Sequence, residues 1–469
     1  MGFSEITFLF VFLPLSIVLY LLVDKVFRND TADNVLIVVL SIIFYWWANK
    51  ETVSVFMFVA AFTYMAGKVL GNEKKKANVF FPVVCLIGIL LFYKYAKLVG
   101  EWINEVTKKP YTDVSKIIIP LGISFIVFEA VSYVVDIYRG DAEPGSFLEC
   151  LTFLSLFPKL VSGPIVLWKD FKPQLKNRRT KLDEIAEGVD RIIIGLAKKA
   201  IIADTFGARI AAINIGISVG GVDTLTLWLR AFLYFFQLYF DFAGYSDIAI
   251  GLGRIFGFQF KENFDYPYLS SSISEFWRRW HISLGIWFRE YVYIPLGGNR
   301  RGNVYIHLLI VFLLTGIWHG AGWQFLVWGA IHGLCVVVER LIHDRTWYKK
   351  TPMVVKWFFT MFVVGFAWIF FMSKDLKTSW ETISAMFAST RGLVNFTWRY
   401  YLSNRAILFF VLIAIGHLLG LKLIKKNMRK LLNRGCGVLA RRVFLLLLFA
   451  VDLMYVVSST YSPFLYFQF

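Results

Sequence analysis

Charge is in short supply along this chain: only 17% of its 469 residues are Asp, Glu, Lys or Arg, against about a quarter in soluble domains. That shortage, with 58% hydrophobic residues and a mean hydropathy of +0.61, excludes an ordinary soluble protein and predicts apolar runs lodged in lipid. Cysteine is equally scarce. Cys85, Cys150, Cys335 and Cys436 stand singly without CxxC spacing, which argues against a zinc site and against a disulfide framework. There is no Walker-A lysine motif, no HExxH and no GxSxG, so the P-loop, zincin and hydrolase signatures all drop out. Nor is there a tandem repeat or a polar stretch long enough to fold alone, and the whole chain, 1–469, reads as one membrane domain.

What is present is a succession of apolar stretches near 6–23, 33–48, 52–70, 78–99, 117–138, 147–168, 190–206, 225–256, 303–342, 353–373, 400–421 and 443–460. The first lacks a basic leader and a small-residue cleavage site and reads as a retained helix. Stretches 147–168 and 303–342 are expected to be broken or re-entrant. The fold class is therefore an all-α polytopic membrane protein. Gly251, Gly253 and Gly257 fall inside an apolar stretch, where close helix packing explains them better than nucleotide binding.

The net charge of +18 comes from basic residues clustered between the apolar stretches, where they orient the chain by the positive-inside rule. Lys74–Lys76, the run Lys169–Lys181, Arg300-Arg301 and the block Lys422–Arg442 read as cytoplasmic. The last span then carries the tail, 461–469, to the outside. An aromatic tail such as Ser462-Pro-Phe-Leu-Tyr-Phe-Gln-Phe469 is accounted for, on composition alone, by an interfacial belt.

Ser272-Ile-Ser-Glu275 fits a capping box and predicts an amphipathic interfacial helix over 272–290. Its apolar stripe runs through Phe276, Trp277, Trp280, Leu284, Trp287 and Phe288, with Arg278 and Arg279 on the other side. His281 falls on the stripe, where a packing role and a chemical role are equally open.

Histidine is rare enough to weigh one by one. His319 lies in Thr315-Gly-Ile-Trp-His-Gly-Ala-Gly-Trp323, and an imidazole in an apolar stretch must find a partner or face a cavity. Gly316, Gly320 and Gly322 clear side chains around it for a substrate or a neighbouring backbone. From spacing alone, catalysis and a structural bond stand level. His307, His332, His343 and His417 read as structural or interfacial. Glu129 and Asp136 share a helical face with Ser132. Together with Asp241, Asp247 and Asp452, they are expected to pair with cations or line a polar lumen.

Six blocks together resemble the membrane-bound O-acyltransferase family, in its bacterial alginate O-acetyltransferase-like branch. They are Phe157-Pro-Lys-Leu-Val-Ser-Gly-Pro-Ile165, Tyr239-Phe-Asp-Phe-Ala-Gly-Tyr-Ser-Asp247, Asn263-Phe-Asp-Tyr-Pro-Tyr268, Phe276-Trp-Arg-Arg-Trp-His-Ile-Ser-Leu284, Tyr293-Ile-Pro-Leu-Gly-Gly298 and Gly316-Ile-Trp-His-Gly-Ala-Gly-Trp323. The resemblance implies a ring of roughly 11–12 transmembrane helices around a thinned core with a tunnel. It puts the family's invariant histidine at His319 and its second signature histidine at His281. Trp318, Arg278 and Arg279 become candidate substrate-binding residues, and Tyr466 a candidate acyl carrier in the tail. No bound cofactor and no metal are implied.

The implied activity is transfer of an acyl group, acetyl foremost, from a cytoplasmic thioester such as acetyl-CoA to an exported or cell-envelope polysaccharide. A separate extracytoplasmic acyltransferase is the implied partner, membrane lipid the surroundings, and the bacterial cytoplasmic membrane the location; nucleic acid has no part. Two alternatives stand beside it. One is a D-alanyl transferase for teichoic acid fed by a carrier-protein thioester. The other is a transporter or flippase for a lipid-linked glycan, which leaves the paired histidine motifs unexplained.

Overall fold

The computed structural model describes residues 2–108, 117–176, 178, 181–219, 221–388, 396–419, 435–458 and 464–465. Tyr466 and residues 422–434 of the basic block lie outside the described residues. The described chain is helical almost throughout, and its one β contact is an isolated bridge between Val222 and Phe396. Among the described residues, six helical runs have the length and composition to cross a membrane: Phe8–Phe27, Asp30–Asn72, Lys76–Thr107, Leu182–Ser218, Trp323–Ile342 and Met353–Met372. Asp30–Asn72 is two helices of 20 residues, Asp30–Asn49 and Val53–Asn72, joined by the turn Lys50–Thr52. Each is long enough to rise about 30 Å, the thickness of a hydrocarbon core. Val304–His319 and Asn404–Gly416 are apolar but shorter. The protein is an all-α polytopic membrane protein, as the sequence implied.

Two compact units are present, each assembled from separate stretches of chain. The first comprises Met1–Ile192, Ser246–Glu262 and Ser283–Pro295; the second comprises Ile193–Tyr245, Asn263–Ile282 and Leu296–Phe469.

In the first unit, the stretch the sequence marked as broken does break. Helix Phe147–Ser155 gives way to the single turn Phe157–Leu160 and then to buried non-helical chain before Trp168. Buried backbone without helical bonds needs other partners, and the face of helix Ile123–Arg139 supplies them. Glu129 Oε1 accepts the Val166 N–H at 3.4 Å, Ser132 Oγ the Trp168 N–H at 3.2 Å and Asp136 Oδ2 the Lys169 N–H at 3.0 Å. Ser283 Oγ takes the Ile165 N–H at 3.0 Å. Glu129 also forms a buried ion pair with Lys159, whose ammonium donates to the Phe153 carbonyl as well. Asp136 accepts the Tyr291 hydroxyl proton at 2.6 Å. The cations and polar partners expected for these intramembrane carboxylates are found, and their work here is to hold an irregular segment in place. Asp247 pairs with Arg191 at 2.6 Å in the same unit.

The second unit is organised around Val304–His319 and Trp323–Ile342, antiparallel helices joined across Gly320–Gly322. Their contact is made by glycine. A Cβ on Gly316 would lie 2.4 Å from the Phe325 carbonyl oxygen, and one on Gly329 would lie 2.5 Å from that of Phe312. The second of the alternatives the sequence left for Gly316, a neighbouring backbone, is therefore the one realised. Trp328, Trp368 and Phe371 fill the core between these helices and Met353–Met372.

The predicted helix over 272–290 is two helices, Ile273–Arg279 and Ile282–Phe288, followed by the π-turn Arg289–Tyr293. Ser272 caps the first as expected, its hydroxyl accepting the Glu275 N–H at 3.0 Å. The break falls at Trp280 and His281, where His281 has a φ of +44°. An L-residue adopts that left-handed region only when its surroundings enforce it. The surroundings here are the segment Asn263–Asp265. Its Asp265 N–H donates to the Arg279 carbonyl at 3.0 Å, and its Asn263 carbonyl accepts the Ile282 N–H at 2.9 Å. These bonds replace helical ones that the break removes.

Candidate active site

The break that interrupts the amphipathic segment also aims its histidine. His281 is 2% exposed, and its Nδ1 is hydrogen-bonded to Asn263 Oδ1 at 3.1 Å. With Nδ1 as donor, the basic lone pair lies on Nε2. Burial pushes the His281 imidazole down to about 3, so the ring is neutral at physiological pH. Phe242 meets it edge-on at 4.7 Å between ring centroids.

His319 is the last residue of its helix, and Gly320 after it is fully extended. The imidazole is 6% exposed and lies in an aromatic enclosure, with Trp318 at 4.7 Å, Trp328 at 5.0 Å and Phe371 at 5.0 Å. Edge-to-face contacts of this kind fix a ring's orientation. The helix end matters as well, because its last carbonyls carry partial negative charge that favours a cation forming nearby.

Trp318 links the two signature histidines, its ring 6.2 Å from His281 and 4.7 Å from His319. All three belong to the second unit. His332, read from the sequence as structural, joins the same cluster from the far side of Trp328, at 5.1 Å. Its Nδ1 accepts the Trp277 indole N–H at 3.3 Å, while its Nε2 is buried with no hydrogen-bond partner among the described residues. Of the two arginines, Arg278 is exposed. Arg279 is paired within its own helix to Glu275 at 2.7 Å and donates to the Asp265 carbonyl at 3.4 Å. Arg279 therefore holds the break together, and Arg278 is the one turned outward.

Sequence reasoning passed over Asn263, Trp328 and Phe371. Asn263 opens one of the six quoted blocks, and that proximity to a motif was the available signal. The other two are indistinguishable in sequence from ordinary core aromatics. Asp241 and Lys199 form a further buried pair at 2.7 Å, and Asp241 Oδ2 accepts the backbone N–H of Leu465 in the tail at 2.9 Å. Phe464 is buried, its ring stacked on Tyr245 at 4.7 Å and 5.9 Å from Phe242. The described part of the tail thus reaches the aromatic wall of His281.

Residues 76–379 match the model of the membrane-bound O-acyltransferase family. Over its whole length the chain is 36% identical to a "probable alginate O-acetylase" of Azotobacter vinelandii, also covered in full. It is 31% identical to a peptidoglycan O-acetyltransferase of Helicobacter pylori over 82% of this chain and 79% of that protein. A teichoic acid D-alanyltransferase of Streptococcus thermophilus is 31% identical over 50% of this chain and 59% of its own.

Proposed function

The chain belongs to the membrane-bound O-acyltransferase family, and from that premise we propose that it hands an acetyl group from cytoplasmic acetyl-CoA to the tail hydroxyl of Tyr466. The activated tail then serves O-acylation of an exported or cell-envelope polysaccharide, completed by a separate extracytoplasmic acyltransferase. The family makes the chain a membrane O-acyltransferase; the donor, the tyrosyl ester and the outward direction are the proposal.

Chemistry supports the order of transfer. The acyl group moves from a thiol of pKa about 8.5 to a phenol of about 10, and then to a still weaker acid, a sugar hydroxyl, so each step runs downhill. In the first step the tyrosine oxygen attacks the thioester carbonyl carbon. A C–O bond forms, the C–S bond breaks, and the phenolic proton passes to His319 and on to the departing sulfur. A positioned base of this kind contributes about 10²–10⁴-fold. The aromatic enclosure keeps competing water from the thioester. His281, fixed through Asn263, orients the reacting groups across Trp318, and Arg278 offers the coenzyme phosphates a bidentate partner.

The observation that carries this reading is the buried His319 at a helix end, ringed by Trp318, Trp328 and Phe371. The purified protein, incubated with acetyl-CoA and analysed by mass spectrometry of its C-terminal peptide, should gain one acetyl group on Tyr466. An unmodified tail alongside acetylated polymer would refute the relay. Transfer only from a carrier-protein thioester would instead select the D-alanyl alternative.

A further inference from the structure

Asp241 lies on the long helix Thr224–Ile255 and is 1% exposed. A carboxylate so deeply buried needs a counter-charge and hydrogen bonds. Lys199 supplies the charge. Its ammonium lies 2.7 Å from Asp241 Oδ1 and 2.7 Å from Asp204 Oδ1. It projects from the π-turn Ala197–Ala203, which Asp204 directly follows. With Oδ1 committed to the lysine, Oδ2 receives the Leu465 N–H at 2.9 Å. That is a contact across 224 positions of sequence, made to main chain rather than to a side chain.

A main-chain contact fixes register regardless of which side chains flank it. One residue before it, Phe464 is 4% exposed and stacks on Tyr245, four positions along from Asp241. Phe242, which neighbours Phe464, is the ring that meets His281 edge-on. Tail, buried carboxylate and signature histidine are therefore joined by successive contacts inside one unit. Phe464 and Leu465 together make an anchor in two parts: an aromatic ring seated in an aromatic slot, and an amide tied to a charge-assisted acceptor.

We infer that Asp241, braced by Lys199 and Asp204, is a positioning residue that latches the C-terminal tail through the Leu465 amide and so sets where residue 466 is presented. The inference rests on the reading of Tyr466 as acyl acceptor for its consequence, but not for the latch itself.

The test uses the full chain in nanodiscs. Hydrogen exchange of the C-terminal peptide should show a protected Leu465 amide in the wild type and exchange at least tenfold faster in Asp241→Ala. Asp241→Asn, which retains an oxygen acceptor, should restore part of that protection. Acetylation of Tyr466 from acetyl-CoA should fall at least tenfold in Asp241→Ala with the KM for acetyl-CoA unchanged, a split that general loosening of the fold would not produce. Leu465→Pro removes the donor N–H and leaves the Lys199 ion pairs with Asp241 and Asp204 in place. It should reproduce the loss of transfer with a melting temperature closer to the wild type than that of Asp241→Ala, and it decides the matter should Asp241→Ala fail to fold. An unprotected Leu465 amide in the wild type would overturn the latch, as would full transfer in Leu465→Pro. Loss of protection in Asp241→Ala, with Tyr466 never acetylated even in the wild type, leaves the latch standing and removes the tyrosine reading instead.

Discussion

Lys159 and Glu129 offer the sharpest energetic test of how the first unit is built. Both are buried, at 1% and 2% exposure, and they form an ion pair inside the fold. Replacing Lys159 with Met removes the cation while leaving the Glu129 carboxylate buried, and breaking a buried pair from one side costs about 3–5 kcal/mol. Glu129→Gln in the Lys159→Met background removes the stranded charge but keeps an oxygen for the Val166 N–H, which Glu129 accepts at 3.4 Å. What remains lost is about one or two hydrogen bonds, each about 0.5–1.5 kcal/mol. The double variant should thus be more stable than Lys159→Met alone by roughly 2 kcal/mol. Thermal unfolding in detergent, followed by the monodisperse fraction on size exclusion, measures the order. A double variant less stable than Lys159→Met would refute the view that the pair's cost lies in the stranded carboxylate. The stakes reach beyond stability, because Lys159 sits in the Phe157–Ile165 block whose irregular backbone this helix face supports.

Two further outcomes follow from the geometry. Gly316→Ala places a methyl group 2.4 Å from the Phe325 carbonyl oxygen, and forcing the two backbones apart should cost about 1–3 kcal/mol. Because His319 lies one turn further along the same helix, acyl transfer should fall with the melting temperature; wild-type values for both would contradict the close-packing account. His281 makes a prediction about pH. The folded protein keeps this imidazole neutral down to about 3, whereas an unfolded one takes a proton near the ordinary value of about 6.5. The unfolded chain binds more protons between those values, so stability should decline as pH falls through that window and show no His281 dependence above it. Unfolding of His281→Gln across pH 4 to 8 should lack that component, and identical pH profiles for the variant and the wild type would show the assignment to be wrong.

Much of this architecture could be read from residue order alone. The apolar runs, the interruptions near 156 and 320, the cap at Ser272 and the cationic partners of Glu129, Asp241 and Asp247 follow from local rules of hydropathy, capping and burial, whereas the buried Asp452, for which the same was expected, has no hydrogen-bond partner among the described residues. The break at His281 does not. Trp277, Trp280, Leu284 and Trp287 keep helical spacing straight through it, so periodicity predicts one continuous helix. The chain departs because Asp265 and Asn263, 14 and 19 residues upstream of their partners, capture the backbone groups of Arg279 and Ile282. No window on local sequence contains that competition. The seat of the tail was hidden for the same reason. Asp241 was legible as a buried carboxylate in need of a cation, but its second partner is a main-chain N–H at position 465, and amide groups leave no mark in composition. The glycines around His319 were legible as a demand for space, while the occupant of that space, at Gly316 the backbone of the next helix, is a tertiary fact.

The central claim is that His319 takes the proton as the acceptor hydroxyl attacks. Single-turnover acetyl transfer by purified His319→Ala, checked for wild-type melting behaviour and wild-type acetyl-CoA binding, tests it most directly. A fall of about 10²–10⁴-fold in the rate of the chemical step is expected. Transfer at the wild-type rate by the folded variant would contradict it.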